Sequence, residues 1–155
     1  MSRKLFAFVG CSKKKNTTNQ FEPMIAAREL YCSDLFHKRV QHVESRNLPW
    51  FIISAKSGCI NPRTPLRVYD HTMLDKEQID VAAWHVGAAN QFINELYYDW
   101  DIRDLRTVAV EIHAGKGYCE PLAEILKLVG VEVILPVKGL GIGEQLAYYS
   151  KEVVA

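Results

Sequence analysis

Four short apolar runs recur along the chain, and each empties into a polar or glycine-rich turn. Residues 5–10 lead into 11–15, residues 50–53 into 54–58, residues 108–112 into 113–118, and residues 131–135 into 136–143. Runs this short and this uniformly apolar read as strands buried on both faces of a parallel sheet. Helical periodicity separates them. Residues 24–46 place Ala27, Leu30, Tyr31, Leu35, Phe36, Val40 and Val43 at spacings that fit one or two helices. Ser33 is the expected N-cap of the second. Asp75 is expected to cap a helix running to about Tyr98, with Ile79, Ala82, Ala83, Val86, Ala89, Phe92, Ile93 and Leu96 as its apolar stripe. Pro121 is expected to open a third helix that Gly130 ends, and a terminal helix is expected from Gly143. Residues 13–23 read as a loop. Residues 54–73, with Gly58, Pro62 and Pro65, read as irregular. The order β-α-β-loop-α-β-α-β-α predicts one α/β domain over residues 1–155. Its expected architecture is a three-layer sandwich around a four-stranded, mainly parallel sheet. In such a sheet ligands bind at the carboxyl ends of the strands, where strand order reverses. All four turns would then converge on one site.

Composition adds boundaries. A chain of 155 residues that is 48% apolar and 24% charged suits one globular core. No run approaches the roughly 20 apolar residues that span a bilayer, so no membrane association is expected. No export signal is read at the start, and a cytoplasmic location is expected. The four cysteines form no CxxC pair, and neither they nor the five histidines show metal-ligand spacing. Reduced thiols, no metal and no cofactor are therefore expected. The sequence leaves oligomeric state open, a homodimer included. Net charge is +1, but residues 1–67 carry twelve Lys/Arg against four Asp/Glu, and the remainder seven against fourteen. That asymmetry suits a face for phosphate or nucleic acid; a solvated helix face is the alternative.

The turns hold the candidate chemistry. Cys11 beside Lys13, Lys14 and Lys15 is either a nucleophile or a small buried residue that ends a strand. Ser12 and Lys13 offer a hydroxyl and a point charge to an anion. Ser54, Lys56 and Gly58 repeat that pairing. Lys56 directly after an apolar strand is either paired or aimed into a cleft, and Gly58 permits a special backbone shape or a close approach. Asp70 is a candidate general base or turn cap. Glu111 and His113 alternate onto one face. Glu111 needs a cation there, with Lys56 or Arg28 as candidates, and His113 is a candidate acid/base group. Gly115, Gly141 and Gly143 lie in turns before helices, where free amides bind anions. Tyr118 is placed to stack on a base.

Cys11-Ser12-Lys13-x-Lys15, Ala27-Arg28-Glu29-Leu30-Tyr31-x-Ser33-x-Leu35-Phe36, Ile53-Ser54-Ala55-Lys56-x-Gly58, Tyr69-Asp70-x-Thr72, Ala114-Gly115-x-x-Tyr118 and Gly139-Leu140-Gly141-Ile142-Gly143-x-Gln145-Leu146 together resemble an uncharacterised domain family of bacteria and phages. Its members are sometimes called similar to the peroxide-stress YaaA proteins, which are linked to DNA binding. More distantly, the two serine-containing strand ends look like the domain of archaeosine synthases that is similar to the uracil-DNA glycosylase fold. The first strand end carries no acidic residue where those glycosylases hold their water-activating aspartate, which argues against direct uracil excision.

The resemblance implies a nucleotide or nucleic acid as partner. The leading expectation is an enzyme acting on a nucleobase, by N-glycosidic cleavage, base exchange or base modification. Lys56, Asp70 and His113 are its expected catalytic groups. Cys11, Ser12, Lys13, Arg28, Tyr31, Ser54, Gly58, Gly115, Tyr118, Gly141, Gly143 and Gln145 are its expected ligand contacts. A non-catalytic DNA- or RNA-binding protein and a nucleotide-sequestering protein are the alternatives.

Overall fold

Strand β1 (Lys4–Gly10) runs through the middle of the sheet, because both of its faces are apolar and both find helices to cover them. The computed structural model describes residues 2–11, 25–31, 33–66 and 81–153. In chain order β1 is followed by β2 (Ile25–Ala26), α1 (Ala27–Leu30), α2 (Asp34–Ser45), β3 (Trp50–Ser54), β4 (Gly58–Ile60) and β5 (Pro65–Leu66). Then come α3 (Val81–Asp99), β6 (Val108–His113), α4 (Lys116–Leu128), β7 (Glu132–Ile134) and α5 (Ile142–Val153). The sheet is ordered β4-β3-β1-β6-β7, and β2 pairs with β5 in a separate two-stranded ribbon.

The expected four parallel strands are present as β1, β3, β6 and β7. The sheet nonetheless has five strands. β4 lies antiparallel to β3, with Ser54 opposite Gly58. It falls inside the stretch expected to be irregular, and so does β5. Both are too short to show alternation, and β4 forms only because the chain folds straight back on β3. The helix expected from Pro121 begins earlier, at Lys116. Gly115 is its N-cap, and Pro121 lies inside it. Ser33 caps α2 as expected, its hydroxyl accepting from the Phe36 amide at 3.1 Å. The expected start of α3 at Asp75 lies outside the described residues. Asn47 and Asp101 carry the left-handed backbone that reverses the chain after α2 and α3.

Alternation along β1 divides the core. Phe6 and Phe8 join Phe51, Ile53, Val110 and Ile112 under α3 and α4, where Phe92 packs edge-on against Phe8 at 4.8 Å. Burying each ring contributes roughly 1.5–3 kcal/mol. Ala7, Val9 and Ile52 face the opposite way, against Leu30 of α1, Tyr31 just after it, and Phe36, Val40 and Val43 of α2. On that second face β6 places Glu111 beside Ala7 and His113 beside Val9. Two polar side chains of β6 therefore stand on the same face of the sheet as this apolar cluster.

Candidate functional site at the strand ends

Strand order reverses at β1: the chain crosses to β3 on one side and later to β6 on the other. The crevice of an open α/β sheet lies above such a point. Gly10 ends β1 there. A Cβ on Gly10 would stand 2.7 Å from the Ala114 Cβ and 3.4 Å from Arg39 Nη1. Glycine thus lets the end of β1, the turn after β6 and a guanidinium from α2 meet at one place.

Arg39 is the most informative group of that edge. It is only 6% exposed, yet its partners are neutral. Nη2 donates to Gln145 Oε1 at 2.8 Å, and the guanidinium also bonds the Tyr149 hydroxyl. Its Nε is buried with no partner. Burial lowers the Arg39 pKa from its ordinary value, opposed by Tyr149, Cys119 and Cys11 nearby. No carboxylate among the described residues pairs with it. A buried cation without an anion is costly.

Behind Arg39 runs a hydrogen-bonded chain. The Tyr149 hydroxyl is 2.8 Å from His113 Nδ1, and His113 Nε2 is 2.9 Å from Glu111 Oε1. Arg46 grips the same carboxylate with two bonds, Nη1 to Oε1 at 2.8 Å and Nη2 to Oε2 at 2.7 Å. Burial lowers the His113 pKa, more than Glu111 raises it, so the ring is neutral. With Arg39 donating to the Tyr149 oxygen, the hydroxyl proton goes to Nδ1, and Nε2–H donates to Glu111. That tautomer follows from the network. Burial pushes the Glu111 carboxyl up, but the bonds from His113 and Arg46 outweigh it and hold its pKa at about 2. Burial also pushes the Tyr149 phenol up.

His42, Glu111 and His113 offer ligand atoms within 4.8 Å of one another. The trio does not suit a metal ion. Arg46 occupies both carboxylate oxygens and lies 3.0 Å from His42 Nε2, and both nitrogens of His113 are engaged. The cation these groups hold is the guanidinium. Glu111 therefore pairs with Arg46, not with the expected Lys56 or Arg28. His113 is fully buried behind Tyr149, so it cannot serve as an acid/base group in contact with a ligand.

Next to Gln145, the acceptor of the Arg39 bond, lies a cavity of about 400 Å³ between the ends of β6 and β7 and the starts of α4 and α5; Arg39 itself is not part of its lining. Ala114, Cys119 and Gln145 form part of its wall, Lys116, Lys138 and Glu120 bring charge, and Gly139 and Gly141 supply backbone. The Cys119 thiol donates to the Ala114 carbonyl at 3.0 Å, and burial pushes its pKa up. Beside the cavity, Cys11 Sγ is 3.5 Å from the Tyr118 hydroxyl, and Tyr118 stands edge-on to Trp84 at 5.4 Å. The Trp84 indole donates to the Ser54 carbonyl at 2.8 Å, and the Tyr31 hydroxyl donates to Ser54 Oγ at 3.3 Å.

Cys11, Tyr31, Ser54 and Tyr118 thus lie in one linked group, and Gly141 and Gln145 line the adjoining cavity. Gly115 caps α4, and Gly143 lies exposed in the first turn of α5. Gly58 turns the β3–β4 hairpin at φ +79°, and Lys56 is exposed in the same turn. Arg28 is elsewhere. It forks onto Glu44 at 3.1 and 3.0 Å and lies 5.7 Å over the Trp50 ring, which begins β3 at the opposite end of the sheet. It is not a ligand contact of the strand carboxyl ends. Ser12, Lys13 and Asp70 lie outside the described residues. Arg39, Trp84, Cys119 and Tyr149 were not singled out from the sequence. The available signal was Arg39-x-x-His42-x-x-x-Arg46, a polar row at helical spacing beside the apolar stripe of α2.

No described helix is long and apolar enough to cross a membrane. No curated protein and no solved structure matches the chain. A family model does, over residues 6–151. Because that match spans nearly the whole domain, the chain belongs to the family of unknown function DUF6884.

Proposed function

We propose that this protein is an enzyme that binds a nucleotide at the carboxyl ends of β1, β3 and β6 and acts on its nucleobase. The observation that carries this reading is Arg39, a buried guanidinium with neutral partners and an unused Nε–H, whose acceptor Gln145 lines a cavity. Such a group asks for an anionic ligand. The half-buried Tyr118 ring, held edge-on by the core ring of Trp84, is the aromatic group suited to a base. The resemblance to the archaeosine-synthase domain points to the same substrate class.

In this reading Arg39 fixes the anionic group and Tyr118 stacks on the base. Lys56 stabilises developing negative charge, and Asp70 moves the proton. His113 and Glu111 act through Tyr149 as positioning residues that hold Arg39 in place.

Mass spectrometry of small molecules released from the purified protein tests the binding half, with a nucleotide or nucleoside derivative as the expected finding. Incubation with that compound tests the chemistry, with free or altered base expected. Lys56→Ala and Asp70→Ala should each lose turnover and keep binding. Full activity in both variants would overturn their assignment. A ligand recovered unchanged after long incubation would replace the enzyme by a sequestering protein.

A further inference from the structure

We infer that the outward face of α3 is the interface of a twofold-symmetric dimer, in which two copies of this chain lay their α3 helices side by side and antiparallel.

The character of the face is the first argument. Between Ala83 and Tyr98 every exposed residue of α3 is uncharged, whereas α2, α4 and α5 each present charged groups to solvent. The outer side of an amphipathic helix ordinarily carries such groups. Val86, expected on the buried stripe, is 53% exposed, and Tyr97 and Tyr98 are 45% and 78% exposed. Glu95, the one carboxylate of this stretch, is half-buried and hydrogen-bonded to Asp99, and Gln91 is engaged with the β4 hairpin. At the C-terminal margin the Arg103 guanidinium lies 5.0 Å over the Tyr97 ring, and Asp101 pairs with it at 3.2 Å.

The second argument is that the face matches itself. Gly87, Asn90, Asn94 and Tyr97 follow at spacings of three, four and three, the a/d rhythm by which two helices mesh along a seam. When two copies are set antiparallel about a point level with Phe92, Gly87 of each comes opposite Tyr97 of the other. Asn90 of each comes opposite Asn94 of the other. The smallest residue meets the largest, twice. A Cβ on Gly87 would meet nothing within 4 Å, so the space for that ring is open. Each Asn amide both donates and accepts, so the two facing pairs satisfy one another. Parallel helices would instead set Tyr97 on Tyr97 and leave a gap at Gly87.

A second copy is the partner because a twofold interface sets one patch against itself. A face without charge does so without repulsion. The 19 residues of α3 extend over about 28 Å. One helix face of this length falls below the roughly 800 Å² per partner of a standard interface, which makes the dimer a reversible one with a Kd on the order of tens of micromolar.

Sedimentation equilibrium of the intact protein from about 5 to about 300 μM brackets that range and should show monomer and dimer in exchange. Gly87→Gln should keep or raise the melting temperature, since glutamine favours a helix more than glycine does. It should also raise Kd about tenfold or more, because the new side chain collides with Tyr97 of the second copy. Asn90→Lys/Asn94→Lys should abolish the dimer. Asn90→Asp/Asn94→Lys should retain it and make it weaken with salt, because each Asp then faces a Lys of the other copy. A wild-type protein that stays monomeric throughout, or a dimer that Gly87→Gln leaves unchanged, would overturn the inference. A charge-swapped variant as monomeric as the double-lysine one would overturn the antiparallel register.

Discussion

Arg46 and Glu111 meet as a two-bond fork in which one partner is 39% exposed and the other only 8%. The guanidinium thus carries charge from the surface to a carboxylate inside the sheet layer. Arg46→Met removes the cation and leaves that carboxylate nearly buried beside a neutral histidine. The expected loss of stability is about 2 kcal/mol, below the value for a fully buried pair because solvent reaches Arg46. Arg46→Lys should recover only part of it, since one ammonium cannot span both oxygens. Urea unfolding of the three proteins measures both.

Stability should fall with acid in two separate windows. His113 has its folded pKa pushed below the ordinary 6.5, so the unfolded chain takes up its proton first. The stability this represents is present above about pH 6.5 and is lost as pH falls towards the lower folded value. Glu111 has its folded pKa depressed from 4.5 to about 2, so its contribution is present above pH 4.5 and is lost between there and about pH 2. His113→Gln should flatten the first window and narrow the second, because the His113 bond helps hold the Glu111 carboxyl down. Thermal unfolding midpoints across a pH series show this, and a first window that persists in the variant would assign it to another group.

Tyr149→Phe removes the one oxygen shared by Arg39 and His113. The variant leaves His113 Nδ1 without its donor inside the core. A loss of about 1–2 kcal/mol is expected by chemical denaturation, with the fold retained. Affinity for the proposed nucleotide should also fall, because Gln145 alone then steadies the guanidinium.

Gly58→Ala adds a side chain at φ +79° and places its Cβ against the Gln91 side-chain amide. Gln91 itself accepts from the Cys59 amide at 2.8 Å and donates to the Ser57 carbonyl at 3.0 Å. The single substitution should cost about 2 kcal/mol. In a Gln91→Ala background the steric part disappears and only the backbone part remains, so the second cost should be smaller. A double-mutant cycle by urea unfolding reads the difference.

The parallel strands and main helices were legible because continuous apolar runs and helical stripes are local signals. So was the edge on which the turns gather. β4 and β5 were not, because strands of three and two residues carry no period, and their pairing depends on a turn geometry set partly by Gln91 on a distant helix. The site was half legible. Cys11, Tyr31, Ser54 and Tyr118 sit at strand ends or in turns, where chemistry draws the eye. Arg39 and Tyr149 sit inside helices, and only the packing of α5 on α2 makes them neighbours. Arg28 was misplaced for the opposite reason: a cation in a familiar motif says nothing about which end of the sheet it serves. The partner of Glu111 was missed because Arg46 ends a helix 65 residues away.

The contact at the end of β1 has one last consequence. Gly10 and Ala114 face each other so closely that a single added methyl group would force them apart. The aperture of the crevice is therefore fixed by an atom that is missing, where most binding clefts are shaped by the side chains that line them. Widening it takes one substitution at the end of β1. A change in the size of molecule admitted would arise there with no polar residue of the site replaced.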